Sequence, residues 1–161
     1  LFAPLSASEV TLSIILAAVT RSLLIAVVSI AIFSLFVDIF ISNVFIIFIY
    51  AFLGSFILGA AGFCAGLWAE KFDHMATVTN FFIIPLSFLS GTFYTIDKLP
   101  NFLQSLSIIN PFFYMIDGFR YGFLGKSDGS ITVGLIYLSI LALTTWLASF
   151  YLYKKGYKIK S

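Results

Sequence analysis

The chain of 161 residues is 61% hydrophobic and 19% aromatic, with 10% charged residues and a mean hydropathy of +1.09. Soluble domains carry roughly 25% charged residues, so too little charge is present to clothe a water-soluble body, and the apolar content excludes a disordered chain. A net charge of +2 leaves no electrostatic footprint for nucleic acid, and a lone Cys64 allows no internal disulfide.

The class that remains is all-α: a polytopic membrane helix bundle forming one transmembrane domain over residues 1–161. A membrane helix needs roughly 20 apolar residues with charges confined to its ends. Four stretches meet that requirement: Leu12–Val37, Ile41–Ala69, Ala76–Tyr94 and Ser130–Tyr153. The chain begins at Leu1, without a basic n-region and cleavage site, as expected of a fragment or a processed chain.

Ahead of the first span, Ser6 and Glu9 have capping-box spacing, which predicts a helix start near Ala7. Arg21 then falls inside the first span, where its charge can snorkel toward the interface or face a polar pocket. The second span carries Ser55, Gly59, Gly62 and Gly66 on one helical face, and Gly62–Gly66 is a small-xxx-small pair. Lipid supplies no hydrophobic drive for helix association, so such a face reads as a helix-packing seam, within one subunit or between two. Glu70, Lys71, Asp73 and His74 then form a dense charged loop, either a solvated turn or a docking surface for a soluble partner. One histidine among scattered carboxylates is not a zinc set.

In the third span Pro85 predicts a kink, with Ser87, Ser90 and Thr92 available to re-satisfy freed carbonyls or to line a pathway. Leu99–Gly125 behaves differently, because Pro100 and the Asn110-Pro111 step interrupt it. A break at membrane depth is tolerated only against protein or a water-filled cavity, so this stretch reads as two short re-entrant helices dipping into one face. Asp117 and Arg120 lie three apart within it, and mutual pairing is expected of charges at such depth. After the last span, residues 154–161 form a tail. Arg21, Lys71, Lys154, Lys155, Lys158 and Lys160 fall on one side, against Lys98, Arg120 and Lys126 on the other, which predicts both ends in the cytoplasm. Tyr151, Tyr153 and Tyr157, with Trp68, suit interfacial anchors at that side.

No phosphate-binding loop, nucleophile elbow or paired histidines are present, so neither catalytic, cofactor-binding nor metal-binding residues are assigned. The bare residues leave three readings open: a pump subunit fuelled by another chain, an ion-coupled secondary carrier or channel, and a non-transporting scaffold. Ion coupling usually places ionisable groups near the bilayer midplane, and the four spans hold almost none away from their ends.

Asn80–Tyr94, Leu99-Pro100 and Asn110–Gly125, with Gly66–Asp73 and more loosely Ala3–Ser6 and Leu16–Thr20, together resemble the permeases of ABC type-2 exporters. These are membrane subunits of bacterial exporters related to polysaccharide, nodulation-factor and drug efflux systems. The resemblance implies a six-span inner-membrane permease that dimerises and carries cytoplasmic ATPase subunits, which would hold the ATP and Mg that this chain does not. The present sequence matches the last four spans, with two spans and an amphipathic helix absent ahead of Leu1. It further implies an ATPase-coupling interface at Pro4, Ser6, Glu9, Glu70, Lys71, Asp73 and His74. Asn110, Pro111, Asp117 and Arg120 would form an outer re-entrant gate. The implied function is a translocation pathway for a lipid, glycan or drug-like substrate.

Overall fold

A computed structural model describes residues 5–91 and 100–156. The described residues fold into helices alone: α1 (Ala7–Phe33), α2 (Val44–Trp68), α3 (Phe72–Val78), a π-helical segment (Thr79–Ile83), α4 (Ile84–Phe88), α5 (Asn101–Ile109), α6 (Pro111–Leu124) and α7 (Ile131–Lys154). Pro4, residues 92–94 of the third expected span, Asp97, Lys98, Leu99, Tyr157, Lys158 and Lys160 lie outside the described residues.

Local chemistry sets each boundary. At α1 the Ser6 hydroxyl accepts from the Glu9 amide at 3.3 Å while the Ser6 amide donates to Glu9 Oε2 at 2.7 Å, the reciprocal box that the spacing predicts. The helix stops at Phe33, short of Val37, and the chain runs through a turn and an extended stretch. There the Ser42 and Asn43 amides donate to the Gly122 carbonyl at 3.0 and 2.8 Å, satisfying an orphan acceptor in the last turn of α6. Asn43 caps α2, its Oδ1 accepting from the Ile46 amide at 3.2 Å. α6 opens on Asn110 as cap and Pro111 in its first turn, and closes on Gly125 at φ +68°, a left-handed position that favours glycine.

The third expected span runs helically from Phe72 to Phe88 in three joined pieces. The disturbance expected of Pro85 takes the form of the preceding π segment, in which the Ile84 amide reaches back five residues to the Thr79 carbonyl. Among the described residues, α1, α2 and α7 are the helices long and apolar enough to cross a membrane.

α2 is the hub. Tyr50 and Ile57 bury themselves with Phe113 and Tyr114 of α6 and Leu138 and Ala142 of α7, while Ala60 meets Ile15 and Val19 of α1. Gly59 faces Ala18 of α1, Gly118 and Gly122 of α6 face Tyr50 and Ile47, and Cys64 Sγ lies 3.2 Å from Ser149 Oγ of α7. These contacts make α1 and α6 antiparallel to α2 and α7 parallel to it. One end of the bundle therefore gathers the start of α1, the end of α2 and the end of α7 (the near end). The far end gathers the 34–43 segment, the end of α6 and the start of α7. Large apolar side chains such as Leu24, Val27, Val28, Phe45 and Ile136 point outward, more than half exposed. A helical membrane bundle explains that inversion, because lipid is as apolar as the side chains facing it.

Packing depends on missing side chains. A Cβ at Gly118 would overlap the Tyr50 ring, and one at Gly122 would overlap Ile47 Cγ1. Over-filling a packed contact costs about 1–3 kcal/mol. Gly118→Ala is therefore expected to lower the thermal unfolding midpoint of the detergent-solubilised protein, whereas Gly62→Ala, with no atom within 4 Å of its added Cβ, leaves it unchanged; equal midpoints for the two variants would contradict this packing.

Candidate functional site

The polar groups of the far end converge where the α5–α6 hairpin meets the end of α4. The hairpin apex does not lie beyond α2. Pro111 and Phe112 share a cavity wall with Ile57 and Leu58 near the middle of α2, and Met115 sits beside Gly54. From that depth α6 climbs back past Tyr50 and Ile47 to the far end.

A helix ending inside an apolar bundle leaves carbonyls without donors, and each such group is costly away from water. Here the hairpin supplies the donors. The Asn110 amide nitrogen donates to the Leu86 carbonyl at 2.7 Å and the Ser107 hydroxyl to the Leu89 carbonyl at 3.0 Å. Arg120 Nη2 donates to the Gly91 carbonyl at 2.5 Å. On the opposite flank Tyr137 Oη of α7 donates to the Ile109 carbonyl at 2.8 Å, closing the last turn of α5. Asn110 is buried, and its Oδ1 also caps α6 by accepting from the Phe112 amide at 3.0 Å.

Asp117 and Arg120 lie within ionic reach, Arg120 Nη1 standing 3.9 Å from Asp117 Oδ1, but the shorter contact is from Nη1 to Asp128 Oδ2 at 2.7 Å. The Asp117 carboxylate, buried at 3% exposure, has other work: it accepts from the Asp128 and Gly129 amides at 2.8 and 2.9 Å. One oxygen per amide pins the turn that leads into α7. The result is a latch in which α6 holds the end of α4 through Arg120 and the start of α7 through Asp117. Ser107, Tyr137 and Asp128 are the partners that sequence reasoning did not single out. The local signal was an acid two residues ahead of Ser130, the N-cap of α7.

At the near end the expected coupling residues are surface groups. Ser6 and Glu9 are exposed and bonded to each other. In the loop after α2 the Glu70 amide donates to His74 Nδ1 at 3.3 Å, and the His74 ring packs on Trp68 with centroids 5.2 Å apart. Glu70, Lys71 and Asp73 are exposed, and Phe72 between them is 93% exposed. The residues of the expected seam divide: Gly59 packs on α1, Ser55 is half-buried, and Gly62 and Gly66 have nothing within 4 Å of an added Cβ. Arg21 is exposed on α1. The described residues hold no cluster of histidine, cysteine and carboxylates able to bind a metal.

The geometry generates a test of the latch. Removing the Asp117 carboxylate leaves two amides without their acceptor, so Asp117→Ala is expected to cost about 2 kcal/mol of stability. In double-mutant cycles Arg120 and Asp128 should couple by about 1 kcal/mol, and Arg120 and Asp117 by less, in keeping with the longer distance. The reverse order of coupling would contradict the assignment.

Comparison with known proteins supplies the family context. The family described as "ABC-2 type transporter" matches residues 1–124. The Inner membrane transport permease YadH of Escherichia coli (strain K12) is 37% identical over 109 residues, covering 68% of this chain and 43% of that protein; the same-named permease of Shigella flexneri gives the same figures. Nodulation protein J of Sinorhizobium fredii (strain NBRC 101917 / NGR234) is 27% identical over 81 residues, covering 50% of this chain and 31% of that protein. The matched segment thus spans less than half the length of these relatives. No solved structure matches.

Proposed function

The chain belongs to the ABC-2 type transporter family, and from that premise we propose that it forms part of the translocation pathway of an exporter driven by a separate cytoplasmic ATPase. Its substrate class is a lipid, glycan or drug-like molecule. The chain is a transporter membrane subunit rather than an enzyme; ATP and Mg belong to the partner. Two permease copies pair in a cell membrane, with both ends of this chain on the cytoplasmic side.

The observation that carries this reading is the contrast between the two ends of α2. The near end presents Glu70 and Lys71 outward on a short loop tied to His74 through the Glu70 amide, and Phe72 and Asp73 in the first turn of α3. An almost fully exposed phenylalanine flanked by opposite charges has the composition of a contact to a soluble protein, an aromatic anchor inside a polar rim. Ser6 and Glu9 stand at the same end and would form the second part of that contact, with Pro4 ahead of them. The far end is closed by the Asn110–Arg120 latch, in which short bonds tie the hairpin to α4 and α7.

These parts support alternating access. ATP binding draws the ATPases together and pushes the near-end loops. α2 transmits the push as a rigid rod of 25 residues, and the far-end latch with Asn110, Pro111, Asp117 and Arg120 opens as the exit gate.

Charge reversal at Glu70 and Asp73 together should break the contact without disturbing the bundle, since both are exposed. The double variant is expected to remain membrane-inserted, while export and co-purification of the ATPase fall about tenfold, a coupling of roughly 1.4 kcal/mol. Export and ATPase recovery at the starting level would rule out this loop as the coupling surface.

A further inference from the structure

α2 and the α3–α4 helix do not close on each other. Between them lies a cavity of 390 Å³, floored by Ala61, Gly62 and Ala65 of α2 and capped by Phe112 and Met115 of α6. Its other wall is the π segment itself, through Thr79, Phe82 and Ile83. The volume falls within the range of small-molecule sites, roughly 300–1,000 Å³, and π segments recur at functional positions. Thr79 is the one hydroxyl-bearing residue on this wall, and its Oγ1 already donates to the Met75 carbonyl at 3.0 Å. A ligand with hydroxyls would have to bury them with few partners, at about 1–3 kcal/mol each. The cavity therefore selects hydrocarbon.

Its near end identifies the rest of the ligand. Met75 lines this cavity and also a second, shallower one of 280 Å³ bordered by Gly66, Glu70, Lys71 and Phe72. An apolar chamber thus abuts a charged mouth across Met75, the profile of an amphiphile with its head at the membrane surface. The mouth is lined by Glu70 and Lys71, an acid and a cation on adjacent residues. One cation beside one acid offers no net positive charge to an anionic headgroup and suits one that carries both a phosphate and an ammonium.

We propose that the cavity between α2 and the α3–α4 helix is a binding site for a zwitterionic phospholipid, the acyl chain lying along Gly62 and Phe82 and the phosphate resting at Lys71. The site does not depend on the near-end loop coupling to an ATPase. Its occupant enters sideways from the bilayer, since Leu58 and Phe82 on the rim are 40% and 62% exposed.

The test uses the complex purified from its membrane and reconstituted in vesicles containing phosphatidylethanolamine with a photoactivatable group in its acyl chain. Peptide mass spectrometry is expected to locate the adduct on the 75–83 or 111–115 stretches. An added Cβ at Gly62 meets no atom within 4 Å, and Gly62→Leu fills the floor with methylenes that would displace the chain, so labelling there should fall about tenfold, the effect of losing roughly two buried CH₂ groups. Ala65→Leu should do the same, which keeps the test decisive if one variant folds poorly, as read from its unfolding midpoint. Unlabelled phosphatidylethanolamine should compete better than phosphatidylglycerol. Adducts spread evenly over the outward face of α1 and indifferent to both variants would overturn the proposal. So would a disulfide between two copies bearing Gly62→Cys, which would make a second permease the occupant.

Discussion

One tyrosine holds the bundle in register. Tyr50 lies flat where Gly118 has no side chain, reaches Gly134 with its hydroxyl side, and donates from Oη to the Ile131 carbonyl at 2.7 Å. It thereby joins α2, α6 and α7 at a single point. In a bilayer this matters more than burial, because moving an apolar side chain from lipid into protein gains little. Shape and hydrogen bonding must do what the hydrophobic effect does in water. A ring fitted into two glycine gaps, with its only polar atom satisfied, supplies both.

The depth of the α5–α6 hairpin follows from that fit. With Gly118 fixed against Tyr50 and Gly122 against Ile47, the start of α6 is carried down to the level of Leu58. Asn110 then meets the Leu86 carbonyl and Ser107 the Leu89 carbonyl. The polar residues of the hairpin are thus explained by the helix that ends beside them: α4 stops inside the bundle, and its open carbonyls call for donors. Arg120 extends the same logic to Gly91 and then spends its remaining guanidinium edge on Asp128.

Much of this was legible in the sequence because it is local. The Ser6–Glu9 box, the Asn110-Pro111 break and the apolar runs of α1, α2 and α7 each declare themselves within a few residues. What could not be read depends on which elements meet. The glycines of α2 drew attention as a packing face, yet the closest approaches fall at Gly118 and Gly122 of α6, where the same four-residue spacing is hidden among aromatic and charged neighbours. Asp117 and Arg120 were legible as neighbours on a helix, but the preference of Arg120 for Asp128 and of Asp117 for two backbone amides arises only when the turn before α7 folds back. The π segment left no mark beyond Pro85, since a shift of one hydrogen-bond register has no compositional signature.

The Asp117 bonds also constrain how such a molecule is made. A carboxylate and a guanidinium entering hydrocarbon alone face a steep barrier, and their partners at Asp128 and Gly129 emerge from the ribosome later than they do. The bonds that hold α6 to the start of α7 can therefore close only after the turn at Asp128 and Gly129 has been synthesised.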